Sequence, residues 1–298
     1  MKAQSNVLVT GVSSGIGLAI TESLTARNIR VFGSVRSQRD AERLLDTFKD
    51  QVVPLIFDTT DRDAVTAASE QVRELLKDDP LLGIVNNAGT GTAAPLLHVP
   101  IAEFRQQLEV NVIGTLNVIQ QFLPLIQGSG KRPGRIVNIG STAGRIGIPF
   151  FGAYAASKHA LTGLSESLRR ELMLYGVDVI TVVPGPVKTA IWDKAEALNF
   201  SAYSDTPYVN LIQAFRDAMV RDGRNGMEPR IIGDTVFTAL TAKRPKATYI
   251  RVAGLFSNWI LPTRLPSRWV DKLIGDKVGL KLLSGPKNLR QSATNQSR

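Results

Sequence analysis

Six short, almost wholly apolar runs recur through the first 183 residues, at 6–10, 30–35, 52–57, 82–86, 135–140 and 177–183. Helical periodicity fills the intervals, over 16–26, 39–49, 62–76, 101–126 and 153–175, with a further helix over 231–243 and a last strand over 246–252. Strands of a half-exposed sheet would alternate apolar and polar residues. These do not, so the sheet is expected to be covered on both faces. Strands that alternate with amphipathic helices predict an α/β fold, a doubly wound parallel sheet whose ligand crevice lies at the carboxyl ends of its strands. The expected organisation is one domain over 1–253, with a substrate-covering segment over 188–230, followed by an extension over 254–298 whose last residues, 291–298, read as disordered.

Composition excludes several chemistries. Cysteine is absent, so disulfides, thiolate catalysis and zinc–thiolate sites are not available. His98 and His159 are too few and too separated for a metal cluster, and no metal is expected. The amino terminus runs straight into the first strand without a signal segment, and no run approaches the roughly 18 apolar residues that read as a membrane span. A cytoplasmic protein is expected. The net charge of +10 has an address: residues 221–298 hold 15 Lys and Arg against 5 Asp and Glu, whereas residues 1–220 are balanced. With the charge confined to the tail and no recognition motif present, no nucleic-acid partner is expected. Leu255, Phe256, Trp259, Ile260 and Leu261 alternate there with Arg264, Arg268, Lys272, Lys277 and Lys281, while Pro262 and Pro266 interrupt the helix. Such a stretch is open to three readings: peripheral contact with an anionic membrane, cover for a substrate pocket, or a dimer contact.

The first strand runs into Thr10-Gly11-Val12-Ser13-Ser14-Gly15-Ile16-Gly17 and then a helix. Glycines at such a turn let backbone N–H groups approach a pyrophosphate, and the helix N-terminus adds partial positive charge. Arg36 follows the second strand, where an acidic residue would bind a ribose 2′-OH and an arginine suits a 2′-phosphate. No acid occurs until Asp40, so NADP(H) is the preferred cofactor, with NAD(H) the alternative. Asp58, ending the third strand, is either a ligand for the adenine amino group or a plain turn residue.

Ser141 ends the fifth apolar run; Tyr154 follows 13 residues later and Lys158 4 beyond that. Spacing by four puts phenol and ammonium one turn apart on one helical face. A cation there favours phenolate and is expected to lower Tyr154 from about 10 towards the working pH. The three together describe an acid/base catalyst for proton transfer at a substrate oxygen.

With those residues assembled, the chain resembles the short-chain dehydrogenase/reductase family. The resemblance is carried by Thr10-Gly-x-x-x-Gly-Ile-Gly17, Asn86-Asn87-Ala88-Gly89, Asn111, Ser141, Tyr154-x-x-x-Lys158 and Pro184-Gly185-x-Val187-x-Thr189, in family order over residues 5 to about 190. Gly140 stands where the family commonly has a second serine. The resemblance implies a seven-stranded Rossmann-type domain, a nicotinamide cofactor and hydride transfer. It implies that Tyr154 exchanges the proton, Lys158 holds the nicotinamide ribose and tunes Tyr154, and Ser141 hydrogen-bonds the substrate oxygen. Asn111 would anchor a water in a proton relay. Gly11, Ser13, Ser14, Gly15, Ile16 and Gly17 would hold the pyrophosphate; Asn87, Ala88 and Gly89 would pack beside the adenosine half. Pro184, Gly185, Val187 and Thr189 would border the nicotinamide.

Residues 164–178, 184–194 and 258–265 look like the branch containing hydroxysteroid and retinol dehydrogenases, which implies a lipophilic alcohol or ketone. Trp192, Phe200, Tyr203, Tyr208, Phe215 and Met219, with Phe150 and Phe151, either line a pocket for it or close the core. A smaller ketone or 3-oxoacyl-type substrate is the alternative, and a dinucleotide-sensing protein without turnover the alternative of another class. A homo-oligomer, dimer or tetramer, is expected from the family's use of its two long helices.

Overall fold

A computed structural model describes residues 5–77, 79–126 and 134–280 of the chain. Seven strands form one sheet: β1 (Ser5–Val9), β2 (Ile29–Val35), β3 (Val52–Ile56), β4 (Leu81–Asn86), β5 (Gly134–Ile139), β6 (Val177–Pro184) and β7 (Thr248–Arg251). Their order is β3-β2-β1-β4-β5-β6-β7, and every neighbouring pair is parallel. The order reverses between β1 and β4, which opens a crevice at the carboxyl ends of those strands.

The period-2 alternation of side chains divides each strand between two cores. Val7 and Val9 of β1, Val31 and Val35 of β2, and Val137 and Ile139 of β5 enter one core. Helices α1 (Gly15–Thr25), α2 (Gln38–Phe48) and α9 (Pro229–Thr241) cover that side with Ile20, Leu24, Leu44, Ile232 and Val236. Leu8, Phe32, Ile84, Ile136 and Val179 enter the other, under α3 (Arg62–Leu76) and α5 (Gly114–Phe122). Phe32 and Phe122 are wholly buried there, each worth about 1.5–3 kcal/mol by area. The doubly wound parallel sheet predicted from the apolar runs is thus the observed architecture.

The helix expected over 101–126 is interrupted. It comprises α4 (Ile101–Leu108), a π turn at Glu109–Ile113, and α5. The sequence pattern runs through the π turn because one inserted residue barely disturbs a helical stripe. Helix α6 (Gly152–Glu171) ends in a 3-10 turn, Leu172–Tyr175, with Gly176 left-handed at φ 63°.

Between β6 and α9 lie α7 (Ile191–Glu196) and α8 (Val209–Arg224). Phe150, Phe200, Ile212 and Phe215 form a satellite core here, with Tyr203, Tyr208 and Met219 packed against it. Trp192 Nε1 donates to the Val187 carbonyl at 2.7 Å. Most of the large side chains expected in 188–230 therefore close this core. Only Tyr208 among them lines the adjoining apolar cavity of about 240 Å³, with Pro95, Leu96, Leu97, Pro149 and Phe150.

After β7 come a π turn (Phe256–Ile260), α10 (Leu261–Arg264) and α11 (Ser267–Val278). The chain is extended at Leu265, beside Pro266, as expected of a proline break. Val278 packs against the satellite core and Leu280 lines the cavity. Lys281 and the expected disordered end, 291–298, lie outside the described residues. No helix among the described residues is long and apolar enough to cross a membrane, and no cluster of His, Cys, Asp or Glu that could hold a metal occurs among them.

Candidate active site

The glycine-rich turn is held from three sides. Thr10 Oγ1 accepts the backbone N–H groups of Asn87 and Ala88, both at 3.0 Å. Asn87 Nδ2 donates to the carbonyls of Thr10 and Gly11 at 3.0 and 3.1 Å, and Gly11 N donates to Ser34 Oγ at 3.0 Å. Gly11 and Gly15 take φ of +69° and +58°, which a side chain would strain. A Cβ on Gly17 would collide with the Gly11 carbonyl and the Asn87 amide. Ser14, at the N-cap of α1, is extended, and its hydroxyl makes no capping bond. The first N–H groups of α1 are thus left without a side-chain cap, and this cradle fits a pyrophosphate. Thr189 lies over it, 3.3 Å from where a Gly15 Cβ would stand.

Arg36 is exposed just beyond β2 and makes no ion pair among the described residues. Asp58 Oδ1 accepts from Thr60 N and Oγ1 at 2.9 and 2.7 Å, a turn-forming use of the carboxylate. Pro184 ends β6, and Gly185 N donates to the Arg251 carbonyl at 2.8 Å. The Val187 side chain is buried in the core, so any contact it makes with a nicotinamide runs through its backbone.

Ser141 follows β5 and caps a 3-10 turn, Thr142–Gly144, its Oγ accepting from Ala143 N at 3.2 Å. Tyr154 and Lys158 stand on the first two turns of α6, whose N-cap is Phe151. Ser141 stands close enough to the Tyr154 phenol to draw its pKa down, and Lys158 Nζ lies 5.7 Å from the Tyr154 ring centroid. That ammonium donates to the Ile139 carbonyl at 2.9 Å.

The expected direction of the Tyr154 shift is corrected here. Burial raises the phenol above its ordinary value, and the Ser141 hydrogen bond only partly draws it back. Lys158 is itself pushed down to about 8 by burial. The sequence argument weighed only the neighbouring charge; desolvation disfavours both charged forms and is the largest cause at each group.

Asn111 sits in the π turn, which turns it inward. Its Oδ1 accepts from Thr90 N at 2.8 Å, and its Nδ2 donates to the Thr90 carbonyl and Ser157 Oγ, both at 2.9 Å. Its amide thus clasps the chain just beyond Gly89, and a water-binding role would fall to its backbone carbonyl, which accepts from Thr115 Oγ1 at 3.1 Å. Sequence reasoning quoted Thr10 in the motif without its bonding role and missed the roles of Ser34, Thr90 and Ser157, whose partners are remote in the chain. It also missed Gly91, where a Cβ would stand 3.3 Å from Phe151 and 3.4 Å from Tyr154.

Residues 5–199 match the family model described as short chain dehydrogenase. Among curated proteins, the chain is 39% identical over 268 residues to an NADPH-dependent 3-dehydrocapnine reductase of Ornithobacterium rhinotracheale, covering 89% of this chain and 94% of that one. It is 34% identical over 224 residues to retinol dehydrogenase 16 of Homo sapiens, covering 74% and 69%. Among solved structures, a short-chain dehydrogenase from Streptomyces avermitilis superposes with a TM-score of 0.72 at 24% identity, covering 95% of this chain and all of that one, which speaks to the fold.

Proposed function

Because the chain belongs to the short-chain dehydrogenase family and is an oxidoreductase, we propose that it transfers a hydride between NADP(H) and a lipophilic alcohol or ketone, with reduction the favoured direction. The observation that carries this is the convergence on the Tyr154 phenol of Ser141, which draws its pKa down, and Lys158, 5.7 Å from its ring centroid. The bound nicotinamide supplies or accepts the hydride. Tyr154, kept protonated by burial, donates its proton to the developing alkoxide in reduction and takes it back in oxidation. Ser141 hydrogen-bonds the same oxygen, stabilising its charge in the transition state. Lys158 holds the nicotinamide ribose, and Asn111 keeps the turn at Thr90 in place and anchors the relay water through its carbonyl. Arg36 takes the 2′-phosphate; the relative named for NADPH supports that preference.

The apolar cavity beside Gly152 favours a lipophilic substrate, as does the likeness to a retinol dehydrogenase. A panel of retinal, keto-steroids, long-chain ketones and small polar ketones, assayed with NADPH and NADH, tests both choices. Turnover confined to polar ketones would remove the lipophilic reading. Turnover of nothing, with dinucleotide still bound, would favour the sensor.

On α11, Val270, Ile274 and Val278 face the body, while Trp269, 65% exposed, and Leu273 face outward among Arg268, Lys272 and Lys277. This exposed apolar pair, with Lys272 and Lys277 beside it and Asp276 between, supports peripheral contact with an anionic membrane. Cosedimentation with phosphatidylglycerol vesicles, lost in Trp269→Ser/Leu273→Ser, is the expected result; no cosedimentation of the wild type removes the idea. A dimer or tetramer is also proposed, and light scattering that reads a monomer would end that.

A further inference from the structure

The first turns of α2 carry a charge cluster that the reaction described above leaves unused. Asp40 is the first carboxylate after β2, the residue type that binds a ribose 2′-OH in NAD-selective sites. Both its oxygens are engaged. Oδ1 lies 2.9 Å from Arg43 Nη2, and Oδ2 accepts from the Ser37 hydroxyl at 2.8 Å. The same Arg43 Nη2 donates to the Ser13 carbonyl in the glycine-rich turn at 2.5 Å. Arg43 thus joins α2 to the pyrophosphate cradle while its side chain stays 58% exposed.

An exposed ion pair of this kind contributes about 0–1 kcal/mol to stability, so stability gives little reason for it. Its location does. A bare carboxylate beside the adenosine ribose would repel a 2′-phosphate dianion and accept from a 2′-OH; a carboxylate paired with a guanidinium does neither.

We propose that Arg43 is a specificity-determining residue for the phosphorylated dinucleotide: it neutralises Asp40 and leaves Arg36 as the charge that the 2′-phosphate meets. This rests on the NADP(H) reading and deepens it. The test is calorimetric titration of the full chain with 2′,5′-ADP and with 5′-ADP. Arg43→Ala is expected to weaken 2′,5′-ADP about tenfold, the effect of one unmasked carboxylate on the 2′-phosphate, and to leave 5′-ADP within about twofold. The double variant Arg43→Ala/Asp40→Ala is expected to recover most of the loss, because the unmasked carboxylate is then gone. Equal weakening of both ligands would make Arg43 a mere support for the turn and overturn the proposal. Failure of the double variant to recover 2′,5′-ADP would overturn it as well. A wild type that does not prefer 2′,5′-ADP to 5′-ADP removes the NADP(H) reading and this inference with it. A wild type with that preference and an indifferent Arg43→Ala removes this inference alone.

Discussion

The ring of Phe151 lies 4.4 Å, centroid to centroid, from the ring of Tyr154 and is tilted 33° to it. Phe151 is the N-cap of α6, its carbonyl accepting from Ala155 N at 2.9 Å, so the stacked ring is anchored at the helix start. Gly91 leaves the space on which this stack depends.

Filling that space is a direct perturbation. Gly91→Val is expected to displace the Phe151–Tyr154 pair and lower kcat about 10²-fold, as small misplacements of a reacting group do, with dinucleotide affinity unchanged. Steady-state kinetics and a dinucleotide titration check it together.

Removing the phenol separates chemistry from binding. Tyr154→Phe is expected to lower kcat by about 10²–10⁴-fold, the range for a lost general acid, while the dinucleotide still binds. Ser141→Ala is expected to cost about 10²–10³-fold. Near-wild-type turnover in Tyr154→Phe would move the proton transfer to another group.

Lys158 gives stability a pH dependence of known sign. Its folded pKa of about 8 lies below the ordinary 10.5. Between those values the unfolded chain holds a proton that the native protein has released, so this group makes stability rise with pH over that window, by at most about 1.4 kcal/mol per unit. Urea denaturation of the wild type and Lys158→Met at pH 8 and pH 9.5 should show the wild type gaining relative to the variant. A parallel pair of curves would contradict the buried amine.

Thr10 is nearly isosteric with valine but carries the acceptor for two backbone donors, those of Asn87 and Ala88. Thr10→Val is expected to destabilise by about 2–4 kcal/mol, since both N–H groups lose their partner, and to loosen dinucleotide binding. Chemical denaturation measures the first and calorimetry the second.

Asn111→Ala removes three hydrogen bonds to Thr90 and Ser157. Turnover is expected to fall with little change in dinucleotide affinity, because the clasped Thr90 adjoins Gly91, which packs against Tyr154. A backbone role in proton relay adds nothing to that loss, since alanine keeps the carbonyl. Full activity in this variant would reduce the clasp to scaffolding.

Local pattern alone determined much of this protein. Near-continuous apolar runs such as 135–140 and 177–183 required a sheet covered on both faces, and spacing by four put Tyr154 and Lys158 on one face of α6. Periodicity reports such things because it depends only on neighbours in the chain. The tertiary structure decided the rest. Asn111 meets Thr90 and Ser157, 21 and 46 residues away, and Arg43 reaches Ser13 across 30. The aromatic segment after Thr189 became mostly core, and the Tyr154 phenol moved up where its neighbour's charge alone predicted down. Desolvation sums over everything that packs around a group, and no local window of sequence contains that sum.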